Sequence, residues 1–224
     1  MIETINNEYV EIMEKRMNEF ALEKKKELES KGVSVIPKLF KQSYVEEMIS
    51  TARRLSAENP NKSGFSGIEL KETCFCKFAT SDFVLKLCNL IIKDRGIEFK
   101  SEDVRPVLGI GTPPEYKNKM LHFDSVYLTL AVPVVMPDSN RLDCGPFRIW
   151  PNVRSFSKNK IKNKVFWRLM RTPWIRDRFK HFDIKFEPGN DYLFYGFRSW
   201  HGVGELGSDL IRMNNLIHVG EVWM

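Results

Sequence analysis

Apolar residues near the start of the chain recur with a helical period. Ile5, Tyr9, Ile12, Met13, Met17 and Phe20 fall close to one face, with Glu and Lys between them. The pattern predicts a helix over residues 3–31, stopped at Gly32. A short strand at 33–37 follows. Next comes a helix over 43–57, with Ser43 as N-cap and Glu46 three residues on, as in a capping box. Residues 59–64 read as a loop. The alternation of Cys74 and Cys76 suits a strand over 70–79 that turns both thiols to one face. Ser81 opens a helix over 82–95 that Gly96 closes. Beyond this point the texture changes to short β-rich runs at 104–110, 120–135, 145–150, 184–187, 191–196 and 211–222, separated by Pro, Gly, Asn and Asp. Helices first and strands afterwards predict a mainly β fold with flanking helices, a sandwich or barrel packed on an N-terminal helical support.

Composition narrows the class. The 224 residues, 42% of them hydrophobic, fit one domain with a sizeable core and exclude a disordered chain. Residues 1–224 are read as that single domain, with 1–32 as its N-terminal helix. No apolar run is long enough to span a bilayer, and the N-terminus lacks an apolar signal core, so cytoplasmic residence is expected. The four cysteines, Cys74, Cys76, Cys88 and Cys144, do not follow a zinc spacing and read as reduced, small core residues. The net charge of +6 is unevenly spread: residues 154–181 hold ten Lys or Arg and one acid, Asp177, interleaved with Phe166, Trp167, Leu169, Met170 and Trp174. The segment reads as a partly helical insertion. A solvated face is the ordinary fate of such a run. A lid over an anionic or carrier-bound substrate is the preferred functional reading, and contact with lipid or nucleic acid is a third.

The chemistry centres on His122-Phe123-Asp124. On a strand, positions i and i+2 share a face, so His122 and Asp124 converge while Phe123 turns away. With His201 from a neighbouring strand they supply two imidazoles and a carboxylate, a set that suits Fe(II) with positions open for substrate. Arg212 shares a strand face with Asn214 and Leu216. A buried Arg there calls for an anion, and its guanidinium can grip a carboxylate in two parallel hydrogen bonds. These residues point to an iron oxygenase with an organic-acid co-substrate. Asn214, Thr129 and Tyr127 are further contacts for that acid, although strict alternation from Asp124 turns Tyr127 and Thr129 to the other face. The bland readings are a structural His–Asp pair for His122 and Asp124, and an ion pair with Glu221 or Glu205 for Arg212. His181 and His218 read as surface or structural, and Arg105 as either pocket-lining or surface.

Three motifs resemble the Fe(II)- and 2-oxoglutarate-dependent oxygenases, and within them the phytanoyl-CoA dioxygenase-like family. They are His122-Phe123-Asp124, the Gly145-Pro146 segment running through Trp150-Pro151-Asn152, and Gly189-Asn190-Asp191 through His201 to Arg212. Asn152-Val153-Arg154 stands where that family has Gly-Ser-His. The resemblance implies a double-stranded β-helix (jelly roll). It implies His122, Asp124 and His201 as Fe(II) ligands, and Arg212 as the clamp on the distal carboxylate of 2-oxoglutarate. It also implies oxidation of a small-molecule C–H bond by O2, with release of succinate and CO2. Related halogenases replace the carboxylate ligand by a small residue, so Asp124 implies hydroxylation, with desaturation or ring formation as further outcomes. Two rivals stay open: a cupin-type metal enzyme without 2-oxoglutarate, and a basic jelly-roll module that binds nucleic acid, the latter disfavoured by the complete metal set.

Overall fold

The computed structural model describes residues 4–111, 121–157 and 159–222. Residues 3, 120 and 158 of the predicted segments lie outside the described residues. In chain order the helices are α1 (Asn7–Glu11), α2 (Met17–Lys31), α3 (Gln42–Glu58), α4 (Cys74–Ala79), α5 (Asp82–Ile92), α6 (Lys160–Arg171) and α7 (Pro173–Arg176). The strands are β1 (Val33–Pro37), β2 (Gly64–Ser66), β3 (Val104–Gly111), β4 (Val126–Val135), β5 (Phe147–Trp150), β6 (Phe182–Ile184), β7 (Asn190–Phe194), β8 (Trp200–Val203) and β9 (Arg212–Glu221). A π-helical turn, Ile12–Arg16, joins α1 to α2, so the predicted first helix is two helices in one path.

The strands form two antiparallel sheets, one of six strands in the order β1-β7-β4-β9-β3-β2 and one of three in the order β6-β5-β8. Strand β4 is buried on both faces, because each face has its own cover. Leu128, Leu130, Val132 and Val134 join a core shared with the helices, including Met48, Ala52, Phe75, Phe78 and Leu87. On the opposite face Ala131 packs with Tyr192 and Phe194 against Phe147 and Ile149 of the small sheet. The result is a mainly β jelly roll packed against N-terminal helices.

Several local expectations are corrected. Residues 74–79 are helical: Cys74, Phe75, Phe78 and Ala79 are the buried set, an i, i+3, i+4 spacing that outweighs the Cys alternation. Cys74 is buried while Cys76 is half-exposed on another side. Helix α3 begins at Gln42 with Lys41 as N-cap, so Ser43 sits inside the first turn and caps nothing. Ser81 does cap α5, accepting from the Val84 N–H at 3.4 Å. The run expected at 184–187 is β6, which starts two residues earlier and ends at Ile184.

Gly32 ends α2 with φ +80, and a Cβ there would lie 1.9 Å from Pro151 Cβ. Only glycine serves both the left-handed turn and this close approach. Asn152 Nδ2 donates to the Leu28 carbonyl at 2.7 Å, and Arg198 bridges to Glu29 at 2.8 Å. The end of the N-terminal helix is thus fastened to the turn that leaves β5. Asn152, the first of the residues departing from the Gly-Ser-His motif, makes this attachment.

Asp191 on β7 is buried, and its Oδ2 has no partner among the described residues. Burial holds its carboxyl well above the usual carboxylate range. A carboxyl raised in this way favours the folded state most below its unfolded value, about 3.9. That contribution is lost as pH climbs toward the folded pKa, at no more than about 1.4 kcal/mol per pH unit. Asp191→Asn should therefore flatten this part of the profile and leave the variant more stable than the parent at neutral pH. Urea unfolding of both proteins from mildly acidic to neutral pH measures it, and parallel profiles would refute a buried carboxyl under strain.

Candidate metal centre

His122 is held by a two-way main-chain bridge to His201: His122 N donates to His201 O at 2.8 Å, and His201 N donates to His122 O at 2.9 Å. His201 is itself fixed in β8 opposite Ile149 of β5. Asp124 precedes β4, and its N–H donates to Gly196 O at 3.1 Å. Phe123 between them turns into a separate cluster with Trp150, Met170 and Trp200. The two imidazoles and the carboxylate therefore converge from two backbone segments tied together.

The side-chain geometry suits a cation. His122 Nε2 and His201 Nε2 each lie 3.3 Å from Asp124 Oδ1, and one ligand atom from each residue falls within 4.8 Å of the others. Asp124 and His201 are buried, whereas the His122 side chain is 52% exposed. His201 Nδ1 sits 2.9 Å from the Ser199 carbonyl. A carbonyl only accepts, so Nδ1 carries a proton, and Nε2, 3.3 Å from Asp124 Oδ1, is the nitrogen left for a metal. Facing the carboxylate, each Nε2 can hold a proton that it donates to Asp124 or give that proton up for a metal ion, and the deprotonated donor set fits Fe(II). Burial works against ionisation of Asp124, but His201 and His122 outweigh it and hold the carboxyl well below its usual range. Thr129 Oγ1 donates to Asp124 Oδ2 at 2.6 Å and fixes the second oxygen.

The centre opens into a cavity of about 570 Å³ between the sheets. Phe147, Phe186, Phe194, Val107 and Leu216 supply apolar wall, and Arg212, Asn214 and His218 line it from β9. Arg212 is 2% exposed. Its Nη1 donates to the Gly145 carbonyl, and its guanidinium lies 4.9 Å from the Phe186 ring centre. Glu221, a candidate partner for Arg212, is instead paired with exposed Arg105 at 2.5 Å. Asn214 is buried, and its Oδ1 has no partner among the described residues.

Three features escape a sequence reading. Thr129 faces the centre because the chain bends at Ser125 and resets the alternation. His218, expected at the surface or in a structural role, borders the cavity opposite Thr129 and is kept neutral chiefly by burial. Gly196 gives no signal of its own, yet a Cβ there would meet Asp124 Oδ2 at 2.3 Å and Thr129 Oγ1 at 2.7 Å.

The basic segment lies behind the centre. Phe166 and Trp167 of α6 pack on the Phe123 cluster, and no residue of 154–181 lines the cavity among the described residues. Arg154 is sandwiched 3.7 Å and 3.8 Å from the Phe123 and Phe197 ring centres, and its Nε donates to Phe197 O at 2.6 Å. Burial pulls its guanidinium down to about 10. In place of a cover over the mouth, the segment forms a buttress for the Phe123 turn.

No protein-family model matches the chain, and no curated protein matches it. Among solved structures it is similar to a prolyl 4-hydroxylase from Phytophthora capsici, with a TM-score of 0.64 and 14% identity, covering 92% of this chain and 64% of that one. It is similar to the epimerase SnoN in complex with Fe3+, alpha ketoglutarate and a nogalamycin compound, with a TM-score of 0.62, 14% identity and coverage of 90% and 84%. EctD from S. alaskensis with bound Fe gives a TM-score of 0.62 at 12% identity, covering 88% of this chain and 76% of that one. The chain shares their jelly-roll fold. At these identities the likeness concerns the jelly roll itself.

Proposed function

We propose that this chain is an Fe(II)- and 2-oxoglutarate-dependent oxygenase that hydroxylates a small-molecule substrate. The observation that carries the reading is the convergence of His122, Asp124 and His201 at one wall of a cavity that also holds a buried arginine, Arg212. The three residues would hold iron. Iron bound there supplies the redox chemistry that couples decarboxylation of 2-oxoglutarate, to succinate and CO2, to oxidation of a substrate C–H bond by O2.

The protein's own part is binding and orientation. Asp124 supplies the negative charge, kept in place by Thr129, which acts through the carboxylate rather than on the co-substrate. Ser199 fixes the His201 tautomer. Arg212 grips the distal carboxylate of 2-oxoglutarate, and Asn214 offers an amide beside it. Phe147, Phe186 and Phe194 exclude water and favour a substrate with an apolar body. The proteins that share the fold include hydroxylases and an epimerase, so substrate placement selects the outcome. The Gly-Pro and Gly-Asn-Asp motifs support the phytanoyl-CoA dioxygenase-like branch. The basic segment puts no cation into the cavity, so an anionic or carrier-bound substrate would have to meet it outside the described lining. No helix among the described residues is long and apolar enough to cross a membrane.

Adding Fe(II) and then 2-oxoglutarate without oxygen should give a visible charge-transfer band that is missing from His122→Ala. Admitting oxygen should then release succinate. Folded, iron-loaded protein with no band and no use of 2-oxoglutarate would point to a cupin-type metal enzyme instead.

A further inference from the structure

Helix α6 presents apolar residues to water. Asn163 and Met170 mark its buried face, and Ile161, Val165 and Leu169, each four residues apart, run along the roughly opposite side. They are 78%, 51% and 39% exposed, and Trp174 on α7 continues the stripe at 62%. Lys164 and Arg168 flank it on one side and Lys162 on the other, while Lys160 stands at its start. None of these four cations forms an ion pair among the described residues, and α6 contains no acid. A convex apolar stripe between rows of cations matches an in-plane interfacial helix: the side chains enter the acyl boundary and the lysines reach the headgroups.

We infer that α6 and α7 form a docking surface for an anionic lipid bilayer. The charge pattern selects this occupant. A polyanion alone has no use for a row of bare aliphatic side chains, and a neutral bilayer has none for cations on both sides. The same helix packs through Phe166 on Phe123, the residue between two of the proposed metal ligands, so the anchor abuts that segment from behind the cavity.

The test is co-sedimentation of the full chain with vesicles of phosphatidylcholine alone and of phosphatidylcholine with phosphatidylserine. Partition into the anionic vesicles only is expected, weakened by salt. Lys160→Gln, Lys162→Gln and Lys164→Gln together should weaken it on the order of 100-fold, taking about a fivefold change per cation. Ile161→Ser with Val165→Ser should weaken it by at least about 10-fold. All five positions are exposed, and an unchanged circular dichroism spectrum confirms that each variant folds. Absence of partition, or equal partition into both vesicles, overturns the proposal. Binding that the lysine changes abolish and the serine changes leave intact overturns it in favour of a soluble polyanion such as RNA or an acidic protein.

Discussion

Gly196→Ala is expected to cost the protein its metal, although residue 196 offers no ligand atom. The new methyl would sit 2.3 Å from Asp124 Oδ2, 2.7 Å from Thr129 Oγ1 and 2.8 Å from Asp124 Cβ. None of these can step aside freely. Asp124 Oδ2 accepts from Thr129, the Asp124 N–H is bonded to Gly196 O itself, and Thr129 lies within the doubly covered strand β4. The overlap is relieved by turning the carboxylate away from the two imidazoles. Overpacking of this kind destabilises by about 1–3 kcal/mol. Disturbing the groups that hold a ligand weakens metal binding by about 10–100-fold, and displacing the ligand itself places the effect at the upper end. Anaerobic Fe(II) titration beside urea unfolding of the metal-free protein separates the two effects. Iron affinity equal to the parent's would show that Asp124 is not where the metal is held.

Arg212→Met is expected to raise the 2-oxoglutarate requirement on the order of 100-fold while leaving iron affinity near the parent value. Removing one partner of a buried, hydrogen-bonded charge pair costs about 2–5 kcal/mol. Methionine keeps an unbranched, flexible stem but is shorter, carries no charge and gives up the guanidinium's place over the Phe186 ring. Arg212 stands on β9, whereas the metal residues belong to the His122 bridge and β8, so the change should move the co-substrate constant alone. Initial rates of succinate formation against 2-oxoglutarate, with iron binding measured separately, give the answer. A loss of iron affinity without a change in the co-substrate constant would assign Arg212 a structural role.

That His122, Asp124 and His201 converge was legible in the chain because their signal is chemical. An imidazole and a carboxylate two apart, a second imidazole downstream and an Arg eleven residues later keep their meaning whatever the local backbone does. The change from helical to β texture was legible for a similar reason, since it rests on many residues at once. What failed rested on one residue or one parity. A bend at Ser125 turned Thr129 toward the site. Two alternating cysteines suggested a strand where Phe75 and Phe78 settle a helix. Strand β8, which carries His201, is four residues with a glycine inside, too short to announce itself. Gly196 and the His201 tautomer depend on contacts between segments far apart in the chain, which no local pattern encodes.

The strand order has a consequence for how the chain is made. In the six-stranded sheet only β2 and β3 are consecutive, while β1 waits for β7, and β9, the last strand, enters between β4 and β3. Until residues 212–221 leave the ribosome, both of those strands carry an open edge. Closure of the sheet thus waits for β9 and carries a high loop-closure cost, slow beside a helical protein of this length. During that interval the nascent chain exposes long apolar strands, the state in which a cell's chaperones decide its yield.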